Sequence, residues 1–148
     1  MLTIFIVLLF AAATALSWLT IRMLGRRIAN SSGWYAVLRR YPDRGPDSGP
    51  DSGDKPLLVV KRASGRIGGV TIGRGLELHA CRRGLRIYPM PWLRPMNTPA
   101  LIPWRDIADS DETLRGHPMK RLGLGRPEIA VLTLDRPLWD ELRGKAGH

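Results

Sequence analysis

Few residues in this sequence have the types and spacing that catalysis or metal binding requires. His79, His117 and His148 are far apart along the chain, and none has metal-ligand spacing to an acid or a thiol. Cys81 is the only cysteine, so an internal disulfide and a cysteine-based zinc site are both excluded. We expect His79 to lie at the surface of a strand, and Cys81 to be a partly buried structural thiol rather than a reactive one.

The acidic and glycine-rich segments also lack the patterns of known reactions. Asp109, Asp111 and Glu112 lie close together without a partner base or metal motif, and they predict a loop. The glycines of residues 65–75 lack the Gly-Lys-Ser/Thr ending of a phosphate-binding loop. We therefore expect a protein that is not an enzyme and that holds no cofactor or metal. A hydrolase is the remaining catalytic alternative, although no nucleophile has a recognisable partner.

The N-terminal segment dominates the hydropathy pattern of the chain. Residues 1–21 carry no charged side chain, and a helix of that length is about 30 Å long, which matches the hydrocarbon core of a bilayer. A cleaved signal peptide would begin with basic side chains and end its short apolar stretch at a small-residue motif. Residues 11–15 are small, but the start is not basic and the apolar stretch continues to Ile21. An uncleaved transmembrane anchor is favoured, with a signal peptide as the alternative.

Positive charge follows the apolar span directly and predicts its orientation. Arg22, Arg26 and Arg27 come just after the span, whereas only the terminal amine precedes it. Cytoplasmic flanks carry the excess of Lys and Arg in membrane proteins. We therefore expect a single-pass protein of the plasma membrane, with its N-terminus outside and its soluble part in the cytosol.

The net charge of +10 is confined to the half of the chain nearer the span. Residues 22–94 carry 15 basic and 5 acidic side chains, whereas residues 95–148 carry 8 of each. Anionic lipid attracts each juxtamembrane cation by about 1 kcal/mol. The side chains expected at the membrane surface are Trp18, Arg22, Arg26, Arg27, Arg39 and Arg40. For the last two, ordinary solvated surface is the alternative.

Residues 28–56 predict a short helix and a flexible loop between the anchor, residues 1–27, and a β domain, residues 57–148. The Ser-Ser-Gly run at 31–33 should break the first helix, with Ser32 as a candidate cap for the second. An apolar stripe then predicts a helix that packs on the domain or lies in the membrane surface. The stripe consists of Trp34, Val37, Leu38 and Tyr41. Residues 44–54 contain the unit Gly-Pro-Asp-Ser twice and predict the flexible loop.

The remaining pattern predicts an α+β fold, a small antiparallel barrel or strongly bent sheet closed by a C-terminal helix. We expect strands at residues 57–60, 67–72, 76–81, 85–88, 100–104 and 129–134, with turns at residues 73–75 and 82–84. Alternation over residues 76–81 predicts one buried and one solvated face. Asp135, Pro137, Arg143 and Lys145 have the types expected at the ends of the closing helix. Residues 109–125 give poor strand signals.

Two short motifs carry a resemblance to a known family. Residues 84–88 read Gly-Leu-Arg-Ile-Tyr, and residues 101–107, after a proline-rich loop, read Leu-Ile-Pro-Trp-Arg-Asp-Ile. Together with the lead-in from Trp34, these motifs resemble the bacterial pleckstrin-homology-like (PH-like) and GRAM-like domains of small membrane-anchored proteins. The resemblance covers residues 34–143. It implies a bent sheet of about seven strands plugged by a C-terminal helix, at the bacterial inner membrane, and it carries over no catalytic residues.

The residues of these motifs are expected to pack rather than to bind. Trp104 would bury its ring at the end of a strand, where Pro103 is tolerated. A ligand-stacking role for Trp104 and for Trp92, which lies in the proline-rich loop, is the alternative. The structural set is Trp34, Tyr41, Leu85, Ile87, Pro103, Trp104 and Trp139.

These observations predict a non-enzymatic, single-span membrane protein with a cytosolic PH-like domain. The expected partners are the membrane and either anionic lipid headgroups or another membrane protein. A basic nucleic-acid-binding module is one alternative, because the pI is about 11, but no helix-turn-helix or aromatic-basic RNA motif is present. An exported periplasmic domain, released by cleavage near Ala15, is the other.

Overall fold

One antiparallel sheet carries the fold in the computed structural model, which describes residues 2–43, 55–90 and 98–147. The helices within these ranges are α1 (Leu2–Ser31), α2 (Trp34–Arg40) and α3 (Arg136–Ala146). The strands are β1 (Leu58–Ile67), β2 (Val70–Ala80), β3 (Gly84–Tyr88), β4 (Ala100–Pro103), β5 (Ile107–Leu114), β6 (His117–Leu124) and β7 (Ala130–Asp135). A 3₁₀ turn, Trp104–Asp106, lies between β4 and β5.

The strand order requires the sheet to curl. The order is β4-β3-β2-β1-β7-β6-β5, so consecutive strands β4 and β5 occupy opposite edges. Only the 3₁₀ turn joins them, and the chain from Pro103 to Ile107 spans at most about 14 Å. The two edges therefore approach each other, and the sheet forms a curled half-barrel. The predicted α+β class, with an N-terminal apolar helix and a C-terminal helix, is confirmed.

The core lies on the concave face of the sheet, where helices close it. Leu76, Leu78 and Ala80 of β2 are fully buried, as their alternation predicts. Trp139 and Leu142 of α3 join the same apolar cluster. The packing of α3 therefore completes the core.

The predicted solvated face of β2 is wrong, because His79 is only 8% exposed and Cys81 is fully buried. The ring of Tyr88 lies 5.1 Å from that of His79, so the outer face is covered here as well. The Glu77 carboxylate accepts a hydrogen bond from His79 Nε2 at 2.7 Å. Cys81, which was expected to be partly buried, is thus buried completely.

Two glycine segments have the opposite roles from those predicted. The expected strand over residues 67–72 is two strands, because Ile67 pairs with Val70 across a tight turn in which Gly68 has φ of +58°. The expected turn at residues 73–75 lies inside β2. Ala63 pairs with Leu76 while Gly65 pairs with Ile72, so this segment is a bulge rather than a chain reversal.

Residues 109–125, which give poor strand signals, form the hairpin of β5 and β6. Asp109, Asp111 and Glu112 lie on β5 and not in a loop. β5 is an edge strand with polar side chains on both faces, so the alternation on which strand prediction depends is absent. In β6 only the later residues, such as Leu122 and Leu124, are apolar and fully buried.

The helix ends agree with the sequence except at α2. Ser32 does not cap α2: Gly33 occupies that position with φ of +74°, and the Ser32 hydroxyl donates to the Ala29 carbonyl. In α3, Pro137 lies in the first turn, and Arg143 and Lys145 lie in the last, as predicted. Asp135 precedes the helix, although its side chain makes no capping hydrogen bond.

Candidate membrane anchor and its junction with the barrel

The exposed surface of α1 is apolar along most of its length. Its window of highest hydropathy is 0% buried, and α1 is the one helix in the described residues long and apolar enough to cross a membrane. The hydroxyls of Thr14 and Thr20 donate to the carbonyls of Phe10 and Leu16 at 2.7 and 2.9 Å. Because these polar groups are satisfied inside the helix, they add little to the cost of placing it in lipid.

The tryptophan and arginines predicted to flank the anchor lie where α1 leaves its apolar segment. The Arg22 guanidinium lies 5.2 Å from the centroid of the Trp18 ring, one helical turn earlier. Arg26 and Arg27 are exposed. No ion pair joins these three arginines to an acid of the described residues. Their charges are therefore available to groups outside the protein.

The end of α1 is built into the domain. Gly25 is buried, Ala29 is fully buried in the main core, and Ser32 is 3% exposed. A Cβ at Gly68 would lie 3.0 Å from Ser32 Cα, so the β1–β2 turn sits against the end of α1. About 10 Å of helix separates Arg22 from Ala29. The barrel is therefore attached to the anchor through a packed junction and not through a linker.

The sequence interpretation missed this junction, although a signal for it was present. Gly25 and Ala29 are small residues at i and i+4, and Arg26 and Arg27 lie between them. This spacing places the two small residues on one helix face, where they permit close packing.

The α2 segment packs on the domain. Trp34 and Val37 are fully buried, which confirms the packing interpretation of the stripe. Arg40 donates to the Arg126 carbonyl, and its guanidinium lies 5.8 Å from the ring centroid of Tyr41. Both Arg39 and Arg40 are exposed, and Arg40 is held by these protein groups.

The motif residues fasten the 3₁₀ turn between β4 and β5 to its neighbours. Tyr41 donates to the Asp106 carboxylate at 2.9 Å, and Trp104 Nε1 donates to the Cys81 carbonyl at 2.8 Å. The Trp104 ring lies 6.0 Å from that of Trp139, an arrangement that fits a packing role. Burial raises the pKa of Tyr41, and the hydrogen bond to Asp106 acts in the same direction.

The remaining motif residues explain the pairing of β3 with β4. Leu85 and Ile87 are fully buried, and Pro103 ends β4 opposite Gly84. A Cβ at Gly84 would lie 2.1 Å from the Ile102 carbonyl oxygen, so only glycine permits this close approach. Trp92, the other proposed stacking residue, lies outside the described residues, as does the predicted flexible loop at residues 44–54.

A buried ion pair on the outer face of β3 was not predicted. Arg86 is 2% exposed, and its Nε donates to the Asp43 carboxylate. Burial lowers the pKa of Arg86, but the hydrogen bond and charge of Asp43 outweigh it, and the net pKa is raised. The backbone beside Asp43 continues the sheet, because Pro42 bridges to Ala100 of β4. This pair therefore ties the segment after α2 to the barrel.

The charge asymmetry of the sequence recurs in the ion pairs. Arg143 and Lys120 donate to the Asp109 carboxylate at 2.6 and 3.4 Å, joining α3 to the β5–β6 hairpin. Burial raises the pKa of Asp109, whereas the hydrogen bonds from these two cations lower it. The lowering effect is the larger, so the pKa lies below its usual value. Lys120, Arg121, Arg136 and Arg143, all after residue 95, each pair with an acid of the described residues, and Arg86 pairs with Asp43. The excess of positive charge in the sequence lies in the half attached to the anchor.

Comparison with known proteins identifies no relative. No family model, curated protein or solved structure matches the chain. Within the described residues, no group of three or more His, Cys, Asp or Glu is arranged to hold a metal ion. The anchor and its junction are therefore the features on which a function can be argued.

Proposed function

We propose that this chain is a non-enzymatic, single-span protein of the plasma membrane. Its PH-like half-barrel is held in the cytosol against the inner leaflet, where it contacts anionic lipid headgroups. The observation that carries the proposal is the continuity of α1, whose exposed apolar surface and buried last turn belong to one helix. The barrel cannot move away from the bilayer surface without breaking its own core.

The junction also supports retention of the anchor. Cleavage near Ala15 would leave the second half of α1 attached to the barrel, because Ala29 is part of the core. That remnant would display Leu16 and Trp18, which are 66% and 63% exposed, to water. Such a surface is costly for a soluble exported domain.

The charges support contact with anionic lipid. Arg22, Arg26 and Arg27 lie between the apolar part of α1 and the buried Ala29, at the level of the headgroups. A curled sheet of seven strands and a C-terminal helix are also the elements that the family resemblance implies. The positive flank supports a cytosolic barrel.

The anchor is tested by fractionation and topology reporters on the full chain. We expect the protein to remain in membranes after an alkaline carbonate wash, with the intact mass of 16.5 kDa. A fluorescent protein fused after His148 should be active, and alkaline phosphatase at the same position should be inactive. Recovery in the soluble fraction without detergent, or a lower mass that indicates cleavage near Ala15, would overturn the proposal of a retained anchor. An active phosphatase fusion would overturn the orientation.

Lipid contact is tested by neutralising the flank. In nonionic detergent, Arg22→Gln, Arg26→Gln and Arg27→Gln together should weaken phosphatidylglycerol binding at least about tenfold, because each cation contributes about 1 kcal/mol. Native mass spectrometry of protein–lipid complexes gives the affinity. The matched control replaces Arg74, Arg82 and Arg105, which are exposed and away from α1. An equal loss in both triple variants would contradict contact at the flank.

A further inference from the structure

A groove of about 450 Å³ lies between the β1–β2 hairpin and the β5–β6 hairpin. Arg66 and Thr71 face each other across β1 and β2, and Arg66 also pairs with Thr133 of β7. Their neighbours Ile67 and Leu132 pair on the core side, so Arg66 lies on the outer surface of the sheet. The groove is therefore separate from both the core and the anchor.

Two cations line this groove without an acidic partner. Arg66 Nε is buried and has no hydrogen-bond partner in the described structure. Arg115 lies in the turn between β5 and β6 with φ of +50°. No ion pair joins either side chain to an acid of the described residues. The Arg66 side chain is half-buried, and its buried Nε N–H lacks a partner, which is costly in a protein. A bound anion would satisfy this donor.

The other polar groups of the groove restrict the kind of anion. Ser64 Oγ accepts a hydrogen bond from the Arg74 backbone at 3.1 Å, which leaves its proton free to donate, and Thr71 adds a second hydroxyl. Asp135 of β7 pairs with Met119, and its neighbour Leu134 pairs with Gly65, so Asp135 lies beside Ser64. Its carboxylate repels a simple anion but accepts from a hydroxyl or ammonium group. The groove thus presents both hydrogen-bond donors and a carboxylate acceptor.

We propose that the groove binds a phosphate ester that also carries a hydroxyl or ammonium group. Arg66 and Arg115 bind the phosphate, and Asp135 accepts from the second group. The ligand could be a soluble phosphate ester or a phospholipid headgroup such as phosphoethanolamine. The headgroup source rests on the function proposed above, because Arg66 is two residues from Gly68, which contacts the end of α1.

A methionine that lines the groove provides a local probe. The full chain is labelled with ¹³C-methyl methionine in a nonionic detergent and titrated with O-phosphoethanolamine. The Met119 methyl signal, assigned through Met119→Leu, should shift saturably, whereas that of Met90, buried elsewhere, should not. Ethanolamine without phosphate should produce no saturable shift. Absence of a saturable Met119 shift with phosphoethanolamine would overturn the proposal.

Charge-matched variants separate a site from general attraction. Arg66→Gln and Arg115→Gln should each weaken binding about tenfold or more, since each removes charge-assisted hydrogen bonds. Arg82→Gln removes the same charge from an exposed turn and should change the affinity less than about twofold. An equal loss in Arg66→Gln and Arg82→Gln would contradict the groove. Because Arg115 lies in an exposed turn, its variant tests the site even if Arg66→Gln fails to fold.

The source of the phosphate ester is decided in nanodiscs. If the Met119 shift appears with phosphatidylethanolamine but not with phosphatidylcholine, the lipid headgroup is the ligand. If it appears only with the soluble ester, the ligand is soluble, and the groove assignment stands in both cases. The detergent titration requires no membrane, so its failure is distinct from a failure of the anchor in fractionation.

Discussion

Replacing Trp34 with alanine should lower the free energy of unfolding by about 3–5 kcal/mol. Trp34 is fully buried at the start of α2, in the same apolar cluster as Ala29 of α1 and the sheet. Removing its ring leaves a cavity where the anchor, α2 and the barrel meet. Urea unfolding of the full chain in detergent, followed by circular dichroism of the sheet, measures the change.

Two control variants isolate the cause of this loss. Trp34→Phe keeps most of the volume and removes an indole N–H that is buried without a partner, so we expect a loss of about 1.5 kcal/mol or less. Trp18→Ala truncates the same residue type on the exposed part of α1. It should change the free energy of unfolding of the sheet by about 0.5 kcal/mol at most. A similar loss for Trp18→Ala and Trp34→Ala would show that Trp34 does not anchor the core.

Asp43→Ala should destabilise the barrel by about 3–5 kcal/mol, because it leaves the buried Arg86 guanidinium without its carboxylate. The double variant Asp43→Ala, Arg86→Met removes the stranded charge and should recover most of that loss. Urea unfolding of all variants at two salt concentrations gives the values. The loss should change little with salt, since screening is weak for a buried pair.

The exposed pair of Arg121 and Glu128 is the matched control for this buried pair. Their side chains are 40% and 42% exposed, and both hydrogen bonds of the pair face solvent. Glu128→Ala should cost about 1 kcal/mol or less. If Asp43→Ala costs no more than Glu128→Ala, or if the double variant is as unstable as Asp43→Ala, the ion pair does not fix the segment after α2.

Much of the fold could be predicted because its signals are local. Leu76, Leu78 and Ala80 alternate with polar residues, and the end of α3 carries the expected Arg143 and Lys145. The failures arise where long-range packing decides the outcome. β5 shows no alternation because it is an edge strand, and the burial of His79 depends on Tyr88 from the neighbouring strand.

The candidate site was predictable to the same extent. The anchor and its arginines follow from hydropathy and charge, which act along the chain. Neither the Asp43–Arg86 pair nor the groove at Arg66 follows from spacing. The partners of each are brought together from distant parts of the sequence by the curl of the sheet. Only the small residues Gly25 and Ala29 left a local sign of the junction.

The packed junction at Ala29 and Ser32 has a consequence for how this domain meets other molecules. A barrel on a loose tether would explore a hemisphere above the bilayer, at an effective concentration set by the tether's length. A barrel continuous with α1 instead inherits the tilt and rotation of that helix. In the proposed membrane-anchored state it presents the same side to the lipid and meets neighbours by diffusion in two dimensions.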